Sequence, residues 1–236
     1  MSEKLERVIQ WMSDFKTKNN VKGVVLGLSG GKDSTTVAML AKKVFGENVL
    51  AVSMPNGEQT DIADVQGIIK ALNLQATTVN IKNAYNGLLT ASSVEISEKA
   101  KTNIAPRLRM TTLYSIAQTL GYLVIGTGNK SEAMIGWTTK FGDSACDFNP
   151  IGHLTCREVI EIGKELAAEF GLDEGYIVKK PADGLTGKSD EDNLGFTYEE
   201  LDDYLLYDAE GPNAEKIKQM ILWAEHKRTM PPKVNS

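Results

Sequence analysis

Residues Ser29-Gly30-Gly31-Lys32-Asp33-Ser34 follow an apolar run, Val24-Val25-Leu26-Gly27-Leu28, and precede an amphipathic stretch. A buried strand feeding a glycine turn that opens a helix aims several backbone N–H groups and a helix N-terminus at one point, and such a point binds phosphate. Gly30 and Gly31 lack the Cβ atoms that would keep a ligand away from the backbone. Ser29 and Ser34 add hydroxyls, and Lys32 adds positive charge. A carboxylate beside phosphates repels them, so Asp33 makes sense as a ligand of Mg²⁺ that the phosphates also bind. Two better-known phosphate loops are excluded. A Walker loop needs Ser or Thr directly after its Gly-Lys, and a further Gly where Leu26 stands; here Asp33 follows Lys32. The dinucleotide Gly-x-Gly pattern fails because Ser29 lies two residues after Gly27.

Four later segments carry residues of the same kind. Gly126-Thr127-Gly128-Asn129-Lys130-Ser131-Glu132 sits where an apolar run, Tyr122 to Thr127, ends. Glu132 is a second carboxylate able to reach the same metal, although the dipole of a helix start also favours an acid there. The stretch Thr139 to Gly152 holds Lys140, Asp143 and Asp147 in a glycine-containing loop. Such a loop can orient a polar substrate, and a solvated loop has the same composition. Arg107 and Arg109 project from different faces of one helix, so that one can pair with phosphate and the other with a structural acid. Glu225-His226-Lys227-Arg228 reads, by composition, as a charged helix end.

The elements that must position these residues alternate in type. Strands are expected at Val24–Leu28, Val49–Met54, Thr77–Ile81 and Tyr122–Thr127. Between them lie helical stretches: one carrying Val37, Leu40, Ala41, Val44 and Phe45 and stopped by Gly46, one from about Thr60 to Leu72, and one over 95–120 with Pro106 opening or kinking it. Glu158–Phe170 is a further helix, ended by Gly171. That alternation predicts a doubly wound α/β fold with a parallel sheet covered by helices. From Asp173 to Glu210 the composition turns acidic, and Gly184, Gly187 and Gly195 suggest a mobile segment before two C-terminal helices; an extended tail follows.

Bulk composition bounds the function. At 236 residues, 42% apolar and 24% charged, the chain suits one α/β domain spanning 1–236. A net charge of -5 disfavours nucleic acid as a partner. Two cysteines, Cys146 and Cys156, supply neither a four-thiolate zinc site nor a disulfide framework. The polar opening residues and the lack of any apolar run near ~20 residues predict a cytoplasmic protein with no membrane contact.

The Ser-Gly-Gly-x-Asp-Ser loop resembles that of the ATP pyrophosphatase family, whose loop grips the pyrophosphate released from ATP. Taken with the later segments, and with Ser189-Asp190-Glu191-Asp192-Asn193-Leu194-Gly195 followed by Tyr198 and Leu201-Asp202-Asp203-Tyr204-Leu205, the chain resembles ammonia-dependent NAD synthetase from about residue 20 to Pro232. The resemblance implies a Rossmann-like, adenine nucleotide alpha hydrolase-like sheet of five parallel strands. It implies adenylylation of deamido-NAD by ATP, then amidation by ammonia to NAD, AMP and pyrophosphate, in a homodimer with the substrate across its interface. Gly27, Leu28, Ser29, Gly30, Gly31, Lys32, Asp33, Ser34, Met54 and Thr127 would bind ATP. Asp33 and Glu132 would hold Mg²⁺, and Arg107, Lys140, Asp147, His226 and Lys227 would contact deamido-NAD. Lys32, Asp33 and Asp147 are the expected catalytic groups, Asp147 as acceptor of a proton from ammonium. The segment 183–195 is expected to act as a lid. Glutamine is not expected as a direct nitrogen donor, since a glutaminase domain has no room here. The chain departs from the family's usual pattern at two positions. Cys156 stands where a lysine often contacts ATP, with Arg157, Lys180 or Lys188 as replacements, and Ala182 stands where Ser or Thr is usual. Other pyrophosphatase-loop enzymes, or a non-catalytic nucleotide sensor, are the competing readings.

Overall fold

The computed structural model describes residues 1–57, 62–179 and 189–234. Among these the chain runs α1 (Glu3–Lys18), β1 (Val24–Gly27), α2 (Lys32–Phe45), β2 (Val49–Ser53), α3 (Ile62–Ala71), β3 (Gln75–Thr78), α4 (Lys82–Ala91), α5 (Glu98–Lys101), α6 (Ile104–Leu120), β4 (Leu123–Val124), α7 (Lys130–Ile135), α8 (Cys156–Phe170), α9 (Gly175–Val178), α10 (Asp190–Leu194), α11 (Tyr198–Tyr207), α12 (Ala214–Trp223) and α13 (Glu225–Arg228).

All strand pairings are parallel, in the order β3-β2-β1-β4. Side chains alternate across the pleat. Val24, Leu26, Val49 and Ala51 enter a core shared with α1, α2, α8 and α9. Val25, Val52 and Val124 face the other way, onto Ala105 and Ala117 of α6. Burial on both faces requires the near-continuous apolar runs seen in β1 and β2. The chain steps from β1 outward to β3 and returns to the far side of β1 for β4. Strand order therefore reverses at β1, and a crevice opens at the carboxyl ends of β1 and β4.

The sheet has four strands among the described residues, against the five expected. What would extend it is a single parallel bridge between Ile125 and Phe148. There the Asp147 side chain takes a position in the ladder: its Oδ2 accepts from Val124 N at 2.7 Å, while Asp147 N donates to Val124 O at 2.8 Å. Pro150 follows, with no N–H to continue the pairing. β3 also begins earlier than Thr77, because its four residues are all exposed and carry no apolar alternation. The helix α1 is an addition. Its buried stripe Leu5, Val8 and Met12 has helical spacing but lies among charged residues.

A third apolar cluster joins Ile135, Cys156, Leu194, Phe196, Tyr198, Leu201 and Ile217, and so ties α10, α11 and α12 to α7 and α8. At its centre Asp202, 1% exposed, accepts from Ser131 Oγ and, at 2.7 Å, from Arg157 N. Residues 190–194 of the expected lid are helical, while 183–188 lie outside the described residues.

Candidate active site

The loop between β1 and α2 forms as its sequence dictates. Gly30 has φ 84°, a conformation open to glycine at little cost. Gly31 caps α2 without any side-chain bond, so the first-turn N–H groups of α2 remain available to an anion. The Ser29 and Ser34 hydroxyls lie 3.1 Å apart, and Ser34 Oγ donates to Gly31 O at 3.1 Å. These bonds fix the loop as an open cradle. Ser29, Gly31, Asp33 and Ser34 line a cleft of about 170 Å³ with Thr127, Gly128, Glu132 and Asp143. Ser29, Gly31, Asp33 and Ser34 follow β1, Thr127, Gly128 and Glu132 follow β4, and Asp143 comes from the loop after α7.

One buried amide links the Asp33 carboxylate to the start of α7, which carries Glu132. Asn129, fully buried, accepts from Glu132 N at 3.0 Å as the cap of α7 and donates through Nδ2 to Asp33 Oδ1 at 3.2 Å. Lys32 Nζ lies 2.6 Å from Asp33 Oδ2 and 4.0 Å from Glu132 Oε1. Burial works against the lysine's charge, but Asp33 and Glu132 outweigh it and hold its pKa above the ordinary value. Glu132 moves the opposite way for a carboxylate. Desolvation, with Asp33 beside it, pushes its pKa up to about 8 despite Lys32. Two carboxylates that resist sharing one cleft as anions suit a cation between them. Mg²⁺ is held by one or two carboxylates plus substrate phosphates, so this donor pair fits it. No group of three or more candidate ligands occurs among the described residues, as that mode of binding permits.

The expected acceptor residues fall into one cluster and one outlier. Arg107 Nε donates to Lys140 O at 3.3 Å, Lys140 Nζ donates to His226 O, and Lys227 Nζ donates to Gly136 O and Thr138 O at 2.7 Å each. The C-terminal α13 is thus clasped onto loop 136–140, so its charges do structural work as well. Asp147 stands apart: its carboxylate is engaged by Val124 N and, at 3.4 Å, by Tyr114 Oη. The loop's other aspartate reaches the cleft instead. Asp143 accepts from Thr139 N at 2.9 Å, and desolvation raises its pKa against that bond. Met54, at the end of β2, lies against Gly27, where an added Cβ would meet Met54 Cε at 3.3 Å. Arg109, the arginine not assigned to substrate, donates from Nε to Met54 O at 3.0 Å.

Of the departures, Cys156 is buried beneath the site, with its N–H on Ser131 Oγ at 2.9 Å. Burial, partly offset by Lys32, lifts its thiol to about 12, so it brings no charge to ATP. Arg157 does not replace the lysine in this arrangement, because it pairs with Asp203 at 2.7 Å. Ala182, Lys180 and Lys188 lie outside the described residues. Asn129 and Asp143 are the site residues that sequence reasoning named only as parts of their segments. Asn129 could have been found as the cap three residues before Glu132.

A family profile described as NAD synthase matches residues 4–231. An NH₃-dependent NAD⁺ synthetase from Finegoldia magna is 40% identical over 225 residues, covering 94% of this chain and 92% of that protein. Among solved structures, the NMN synthetase from Francisella tularensis superposes with a TM-score of 0.91 at 35% identity, covering 99% and 98% of the two chains. The NH₃-dependent NAD synthetase from Campylobacter jejuni superposes with a TM-score of 0.79 at 30% identity, covering both chains fully.

Proposed function

The chain belongs to the NAD synthase family, and from that premise we propose how its cleft performs ammonia-dependent synthesis of NAD from deamido-NAD and ATP. The observation that carries the reading is the cleft lining itself, where an anion cradle, two facing carboxylates and a third, Asp143, meet around one space. In the first step the nicotinate carboxylate attacks the α phosphorus of ATP, and pyrophosphate leaves. The α2 N-terminus, the Ser29 and Ser34 hydroxyls and Lys32 hold the departing charge. Asp33 and Glu132 hold Mg²⁺, which supplies Lewis-acid neutralisation of phosphate charge when bound. In the second step ammonia attacks the activated carbonyl, AMP leaves, and a carboxylate must take the proton shed by ammonium. Geometry favours Asp143 for this role, because Asp147 is engaged at the edge of β4.

Thr127 and Met54 complete the ATP site in this reading. Arg107, Lys140 and Lys227, with His226 beside them, present a cationic margin to the acceptor. Arg107 also lines a broad groove of about 670 Å³ between α4 and α6, with exposed Leu88 and Val94 on its wall. That apolar wall supports pairing of two copies beside the acceptor residues, as a homodimer requires. Among the described residues no helix is long and apolar enough to cross a membrane.

The closer superposition on an NMN synthetase favours a second acceptor, the deamidated mononucleotide, for the same chemistry. Pyrophosphate–ATP exchange tests both readings. Exchange that depends on an added deamidated nucleotide supports adenylylation, and the ratio of kcat/KM for dinucleotide and mononucleotide identifies the acceptor. Exchange without any acceptor, or none with either, contradicts the reading.

A further inference from the structure

Tyr198 is the first residue of α11, and its backbone position is fixed by the capping box of Thr197 with Glu200. Its side chain is 5% exposed and runs inward beneath the cleft. The phenol oxygen lies 3.1 Å from Asp190 Oδ2 and 3.5 Å from Glu132 Oε1, and its ring lies under Lys32 Nζ, 5.7 Å from the centroid. Tyr198 therefore touches the cation and one carboxylate of the ATP site without lining the cleft. A tyrosine phenol keeps its proton at neutral pH and so acts here as a hydrogen-bond donor. A phenol has one proton to give, and it is shared between two acceptors, Asp190 at the shorter contact and Glu132 at the longer.

We infer that Tyr198 is a positioning residue whose O–H, shared between Asp190 and Glu132, sets the Glu132 carboxylate toward the cleft as a metal ligand. This rests on the reading of Asp33 and Glu132 as the metal pair. The device also mechanically joins the α10–α11 layer to the ATP site, since Asp190 and Tyr198 both belong to that layer. Removing the hydroxyl leaves the buried Asp190 and the half-buried Glu132 carboxylates without the proton between them, and their repulsion moves Glu132 from its place.

Mn²⁺ binding tests this directly, followed by electron paramagnetic resonance of the free ion with a non-hydrolysable ATP analogue present. Tyr198→Phe keeps the ring and should weaken Mn²⁺ binding about tenfold, the scale at which outer-shell partners act on metal sites. Ser2→Ala removes the cap of α1 and leaves the phenol and its helix cap intact, and should lower Tm while leaving Mn²⁺ affinity unchanged. Wild-type affinity in Tyr198→Phe, or an equal loss in Ser2→Ala, would overturn the inference. Glu132→Gln separates the two layers of the argument: if it binds Mn²⁺ normally the metal reading fails, and the tyrosine's role with it. If Glu132→Gln loses binding while Tyr198→Phe retains it, only the tyrosine's role fails.

Discussion

Asn129 ties the Asp33 carboxylate to the backbone N–H of Glu132 with the two ends of one amide, so one side chain links the two segments that carry the proposed metal pair. Asp33 is the member nearest the phosphate cradle. Asp33→Asn keeps the shape and an acceptor for Asn129 but removes the charge. Turnover should fall by roughly 10³-fold, the scale of losing one electrostatic partner of the transition state, while Tm moves by a few degrees at most. Near-normal turnover by steady-state assay would remove its metal role. Glu132 gives a pH signature. Its carboxyl sits near 4.5 in an unfolded chain and at about 8 here. The folded protein therefore binds the extra proton between those values, and stability falls as pH rises toward about 8. Metal-free protein should lose Tm from about pH 5 to pH 8, Glu132→Gln should flatten that slope, and Mg²⁺ with ATP should restore the loss at the upper end. Equal slopes in the two proteins, read by circular dichroism in chelator, would contradict the assignment.

The helices α2 and α8 pack closely. A Cβ on Gly163 would lie 2.7 Å from Thr36 Oγ1 and 2.9 Å from Ile177 Cγ2. Alanine in a helix interior gains about 1 kcal/mol over glycine, whereas forcing an overpacked core apart costs about 1–3 kcal/mol. Sterics should win, and Gly163→Ala should lower stability in denaturant titration; a stabilised variant would mean the helices part easily. The pattern of β1, α2 and β2 was legible in the sequence because both faces of those strands are buried and the run is continuously apolar. The phosphate loop was legible because few sequences join such a strand to two glycines, an acid and two serines. β3 was misplaced by two residues because an exposed edge strand lacks apolar alternation. The fifth strand was lost to the Asp147 side chain, which no periodicity reports. That Asp143 rather than Asp147 lines the cleft was not legible either, since it depends on which of the two the loop turns toward it.

At the scale of the molecule, three apolar clusters hold one sheet, its two helical layers and a C-terminal layer that ends clasped on loop 136–140. Two copies should associate: sedimentation velocity should give twice the 25.8 kDa chain mass, whereas a monomer at micromolar concentration would contradict the dimer. The central claim is that ATP is split at its α phosphate to amidate a deamidated pyridine nucleotide. Purified protein given ATP, Mg²⁺, ammonium and deamido-NAD should form AMP, pyrophosphate and NAD in equal amounts, followed by chromatography of the quenched reaction. Formation of ADP and phosphate, or AMP without an amidated product, would contradict it.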